Sequence, residues 1–136
     1  MGYTHYWDNV APLYDNYRAA VEDCAQIVQA SPVPLADGFG EAGTKPELSI
    51  PEGKVRFNGL GKDSFETFDV APGEGFGFCK TGHRPYDVVV VACLARLAEA
   101  GLKVTSDGDR GEWAEGLAFA SKVLGRDVPC PEEIRK

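Results

Sequence analysis

Lys80-Thr81-Gly82-His83-Arg84 puts two cations, a hydroxyl and an imidazole just ahead of a helix start marked by Pro85. Free backbone N–H groups and the helix dipole favour an anion at such a place. Arginine adds a two-pronged grip for phosphate or carboxylate. Lys80, Thr81, His83 and Arg84 therefore read as an anion site; the plainer reading is a solvated, capped turn. A second cluster, Tyr3-Thr4-His5-Tyr6-Trp7, is dense in aromatics with polar tips. Such rings stack on a base, with His5 and Trp7 the candidate contacts, or they cover the core from an edge strand.

Other patterns fail on context. Gly38-Phe39-Gly40-Glu41-Ala42-Gly43 spells G-x-G-x-x-G, but Thr44-Lys45-Pro46 opens no helix and Glu41 repels phosphate. The stretch ending at Lys80 lacks the P-loop glycines, with Glu74 and Cys79 in their places. Asp107 to Glu112 is too short for a calcium loop and reads as a helix cap. No catalytic set stands out. Cys79 with His83 would be a thiol–imidazole pair, though strand alternation favours a packed thiol. His5 with Asp107 would be a base and its orienter, provided the fold joins them.

The elements that must position these residues are legible from periodicity. Residues 3–7 alternate as a strand. Val10, Leu13, Tyr14, Tyr17, Val21, Cys24 and Val28 recur at helical spacing, with Asp8 or Asn9 as cap and Ser31-Pro32 as stop. Residues 32–53 read as a long loop with one short strand near 33–36. Val55 to Asn58 and Ser64 to Val70 read as strands, and Pro72-Gly73-Glu74-Gly75 as a turn returning Phe76 to Thr81 as a hairpin arm. Val88 to Leu97 is apolar enough for either state; its length and Gly101 favour a buried helix. Lys103 to Ser106 is a strand. Trp113, Leu117, Ala120 and Leu124 mark a third helix, capped near Asp109 and ended by Gly125.

The fold class expected is α+β: a single sheet of about five strands with two to three helices, arranged as a ferredoxin-like split βαβ unit. In that arrangement the first strand runs parallel to the strand ending at Thr81, and Trp7 and Lys80 emerge at one end.

The 136 residues suit one domain. A net charge of −7 argues against nucleic acid as a general partner. The balance is uneven: residues 1–50 hold seven acids against two bases, while residues 51–100 hold seven against six. A local cationic site therefore remains open in the middle of the chain. No apolar run reaches membrane-spanning length and the N-terminus has no signal-peptide pattern, so a cytoplasmic protein with no membrane partner is expected. The four cysteines match no zinc spacing and read as reduced thiols; neither metal nor cofactor is implied.

Several segments taken together resemble a group of short hypothetical proteins common in tailed phages and prophages. They are Tyr3-Thr4-His5-Tyr6-Trp7, Pro34-Leu35-Ala36 with Gly38-Phe39-Gly40-Glu41, Phe57-Asn58-Gly59, Glu66-Thr67-Phe68, Phe78-Cys79-Lys80-Thr81, Pro85-Tyr86-Asp87-Val88-Val89 and Ser106-Asp107-Gly108. Phe65 departs from the histidine expected there. The resemblance implies a phage setting, hence host cytoplasm, and carries no chemistry of its own. It draws attention to Asn58, Lys80, Thr81, Tyr86, Asp87, Ser106 and Asp107 as polar residues at strand ends, where ligands bind.

The leading expectation is a phage accessory protein that binds a small anionic, nucleotide-like ligand at His5, Trp7, Asn58, Lys80, Thr81, His83, Arg84, Tyr86 and Asp107. It would act as a sponge for a host immune signal, as a homo-oligomer. The alternatives are a nucleotide- or nucleic-acid-processing enzyme with His5 or His83 as acid–base, and an inhibitor of a host factor by surface contact.

Overall fold

The computed structural model describes residues 2–9 and 15–136. Strand β1 (Thr4–Asn9) is followed by helix α1 (Asp15–Gln29). Asp8 and Asn9 belong to the strand. The start expected at Val10, with Leu13 and Tyr14, lies outside the described residues. The α1 face expected from the sequence is buried from Tyr17 through Val21 and Cys24 to Val28.

In the long segment 32–53 the short strand expected near 33–36 forms as β2 (Leu35–Ala36), and a second, β3 (Glu47–Ser49), forms where loop is expected. Pro46 and Pro51 hide β3 in the sequence, and its pairing with β4 (Lys54–Gly59) forms it. On β4, Val55 and Phe57 are buried as the alternation requires. Strand β5 (Phe68–Val70) is shorter than expected: Phe65 is bonded through N and O to the Asn58 side chain and Glu66 N donates to Lys80 O, which takes them out of the ladder with β4.

Strand β6 (Gly75–Lys80) does not form a ladder with β5. It pairs antiparallel with β1, whereas β5 pairs with β4. Strand β7 (Lys103–Ser106) covers the other side of β1, again antiparallel. The α+β class stands as expected. The single sheet does not: the strands form a three-stranded sheet β6-β1-β7 and a four-stranded sheet in which β2, β3 and β5 all pair with β4. Nor does the split βαβ unit form, since β1 has an antiparallel neighbour on each side. Thr4 lies opposite Lys80 and Trp7 opposite Gly77, so Trp7 and Lys80 sit at opposite ends of the pair.

Helix α2 (Asp87–Glu99) resolves the valine-rich stretch. It is buried on nearly every side, because α1 and α3 (Arg110–Leu124) flank it and the sheets close over it. Burial on all faces explains why β-formers tolerate the helix here. Gly116 permits the close approach of α3: a Cβ there would lie 2.7 Å from Val91 Cβ. The start of α3 is fixed locally, as expected. Asp109 accepts from Glu112 N while Glu112 reaches back to Asp109 N, and Gly125 ends the helix in the left-handed region. Among the described residues no helix is long and apolar enough to cross a membrane.

Candidate functional site

Strand alternation decides what β1 and β6 offer. His5 and Trp7 point inward, and Thr4, Tyr6 and Asp8 outward. On β6, Cys79 is buried while Phe76 and Phe78 face solvent. Trp7 is 4% exposed, packs edge-on to Phe68 and lies over Gly77, so it is a core residue with no face for a ligand.

His5 is fully buried between two partners: Nδ1 is 2.7 Å from Ser106 Oγ and Nε2 is 2.7 Å from Asp87 Oδ1. Ser106 Oγ accepts from Gly108 N at 2.9 Å and Trp113 Nε1 at 3.1 Å, which uses both of its lone pairs. Its proton therefore goes to His5 Nδ1, and Nε2–H donates to Asp87. Thr81, also buried, donates to the same Asp87 oxygen at 2.5 Å. The order hydroxyl, imidazole, carboxylate resembles a nucleophile relay. However, Ser106 Oγ is already saturated with hydrogen bonds. The network is a clasp joining β1, β7, α2, α3 and the turn that follows β6.

Asp107, the carboxylate expected beside His5, faces the opposite way. It accepts from Thr4 N at 3.0 Å and Tyr6 OH at 3.4 Å. Cys79 and His83 do not meet either. Cys79 is packed under Glu66 and Tyr86, and burial pushes its thiol up to about 12.

Thr81 to Arg84 form a tight turn, with Arg84 N donating to Thr81 O at 2.9 Å. Gly82 has φ 57° and His83 φ 60°, the pattern of a type I′ turn. His83 is the one described non-glycine residue in the left-handed region, a strain on the order of 1 kcal/mol. Two contacts hold it there. Its ring stacks on Tyr3 at 3.6 Å, and Nε2 lies 3.9 Å from Glu112 Oε2. The Tyr3 hydroxyl is buried without a hydrogen bond of ordinary geometry. Burial, reinforced by Asp87, Glu112 and Asp109 and opposed only by Ser106, pushes its pKa well up and keeps it protonated.

The anion site expected at the helix start is differently built. The first-turn residue Asp87 already brings a carboxylate there, and Asp87 N is bonded to Arg84 O. What the turn offers instead is two cations around an exposed ring. Lys80 Nζ lies 5.6 Å and Arg84 Cζ 5.2 Å from the centroid of Phe65. Neither cation forms an ion pair with a described residue. A groove of about 430 Å³ runs beside Lys80, lined by Gly2, Tyr3, Phe65, Lys80, Gly82 and His83; Arg84 approaches it across the Phe65 ring. On the other side of His83 a groove of about 390 Å³ is lined by Arg84 together with Asp87, Glu112 and Glu115, so its carboxylates outnumber its cation.

Asn58 and Tyr86 contribute from below. Asn58 Oδ1 accepts from Gly59 N and Phe65 N, and Nδ2 donates to Gly38 O and Phe65 O. Its hydrogen-bonding capacity is used up, with two of the four bonds holding Phe65 through its N and O. Tyr86 OH donates to Glu66 O at 2.6 Å, and Glu66 Oε1 accepts from Lys80 N at 2.8 Å. Both residues therefore position the 65–66 segment against Lys80.

Of the nine residues singled out in the sequence, the fold brings Lys80, His83 and Arg84 together at the surface. His5 and Thr81 lie in the clasp, Asn58 and Tyr86 hold Phe65 and Glu66, and Trp7 and Asp107 lie elsewhere. Phe65 and the burial of Tyr3 against His83 had no local signal. No family model matches the chain, and neither a curated protein nor a solved structure does.

Proposed function

We propose that the chain binds a small anionic ligand with a flat ring, nucleotide-like in character, in the groove beside Phe65. One observation carries this reading: among the described residues Lys80 and Arg84 have no carboxylate partner, and both stand at the exposed Phe65 ring that borders, with Lys80, a groove of about 430 Å³. The Lys80 and Arg84 side chains meet phosphate, and the outer face of the His83 ring, held by Tyr3, meets the flat part of the ligand. Binding alone suits a phage accessory protein that sequesters a host signal, with assembly into a homo-oligomer as part of that role.

Calorimetric titration with mononucleotides tests it. The wild type is expected to bind at least one of them, and Lys80→Ala or Arg84→Ala to weaken that binding by about tenfold or more, the usual loss for a hydrogen bond to a charged group. The ligand is expected back chemically unchanged. Failure of the wild type to bind any nucleotide refutes the reading. Turnover lost in His5→Ala or His83→Ala replaces binding with catalysis.

A further inference from the structure

Phe76 is 66% exposed and Phe78 55%, on the same face of β6 as Lys80. Tyr6 of β1 lies opposite Phe78 on that face, and its ring is nearly parallel to Phe76 at 6.3 Å. Phe76 and Phe78 are 6.2 Å apart. Lys80 is two residues beyond Phe78, roughly 6.6 Å along the strand at the usual rise. Its ammonium reaches the Phe65 ring at the groove. Three rings on an open antiparallel face thus run directly into Lys80, which shares the Phe65 ring with Arg84. Exposed apolar rings in a row mark a contact surface.

We infer that this face is a second ring-binding surface continuous with the groove, and that the ligand is a short single-stranded oligonucleotide of two or three nucleotides. This deepens the proposed binding reading and rests on it. One base lies in the groove by His83, the linking phosphate meets Lys80 and Arg84, and the next base stacks on Phe78 and Phe76 beside Tyr6. Aromatic side chains on adjacent antiparallel strands hold two or three bases in this way. The charge balance sets the length. A net charge of −7 opposes a long polyanion and also opposes a second copy of the chain on this face. Asp8, opposite Phe76, ends the row with a negative charge, so the phosphates gather at the Lys80 end.

The experiment compares adenosine monophosphate, a linear diadenylate and a cyclic diadenylate by calorimetry, with wild type, Phe76→Ala/Phe78→Ala and Lys80→Ala proteins. A dinucleotide, linear or cyclic, is expected to bind at least about tenfold more tightly than the mononucleotide, the scale of one base stacked on an aromatic side chain. The double phenylalanine variant is expected to lose that gain and keep mononucleotide binding. Lys80→Ala is expected to weaken both. The linear and cyclic arms tell which linkage the face accepts. Mononucleotide binding with no gain for either dinucleotide, or a gain that survives the double variant, overturns the second surface alone. No binding of any of the three removes the groove as well. A double variant that changes only the sedimentation mass assigns the face to a second copy and also overturns the inference.

Discussion

His5 Nε2 donates to Asp87 Oδ1 at 2.7 Å, tying the middle strand of the three-stranded sheet to the first turn of the most buried helix. Removing the imidazole leaves a cavity, a hydroxyl of Ser106 without an acceptor and a carboxylate supported by Thr81 alone. His5→Ala is expected to lower unfolding free energy by about 3 kcal/mol, the range for breaking a buried charged hydrogen bond. Thr81→Val, which removes one donor from Asp87, is expected to cost about 1–2 kcal/mol. Urea unfolding measures both. A His5→Ala cost below about 1 kcal/mol would show that the clasp is dispensable.

The contact between Gly116 and Val91 sets the spacing of α2 and α3. Gly116→Ala gains helix propensity but drives a methyl into Val91, and crowding is the larger effect. A net loss of about 1–3 kcal/mol is expected, recoverable in part by Val91→Ala in the same chain. Stabilisation by Gly116→Ala in thermal unfolding would mean that the helices separate freely.

The four thiols are expected to divide one against three. Cys24, Cys79 and Cys93 are buried and Cys130 is partly exposed. Burial raises Cys79 to about 12 and pushes Cys93 well up, so neither forms thiolate near neutrality. Thiol titration at pH 8 on the native protein should find Cys130 alone reacting in minutes, although its own pKa is raised by partial burial. The other three should appear only on unfolding. Fast reaction of Cys79 would contradict its packing under Glu66.

Stability should fall at alkaline pH. The Cys79 thiol ionises near 9.0 in the unfolded chain and near about 12 when folded. A raised folded pKa gives stability that is complete below 9 and lost as pH climbs from 9 towards 12. Tyr86 and Tyr3, both raised mainly by burial, act in the same direction above their ordinary value of 10. The melting temperature is expected to hold from pH 7 to 8.5 and drop beyond 9, less steeply in Cys79→Ala. An equal slope in that variant would assign the loss to Cys93 and the tyrosines.

What was legible in the sequence was local. The Asp109–Glu112 cap, the Gly125 stop and the inward phase of Val55 and Phe57 depend on residues a few positions apart, and each formed as expected. Choice of partner was not legible. Pro72-Gly73 is a good turn, yet β5 takes β4 and β6 takes β1, because those pairings bury Phe57, Phe68 and Trp7 together. The same limit governed the site. Ser106 and Asp107 are neighbours, but alternation sends Ser106 inward to His5 and Asp107 outward, so the carboxylate came from Asp87 instead. Lys80, His83 and Arg84 were visible as a run of charge. The ring they surround, Phe65, depends on two hydrogen bonds from the Asn58 side chain and left no trace in spacing.

The central position of β1 has a consequence for how the chain is made. Its pairing partners are residues such as Cys79 and Ser106, so β1 is synthesised about 70 to 100 residues before the strands that flank it. At about 5–20 residues per second, Tyr3 to Trp7 leave the ribosome several seconds before β7 exists to cover them. Non-local pairing of this kind folds slowly. The aromatic segment that finally anchors the sheet is therefore, during translation, the one most in need of a chaperone.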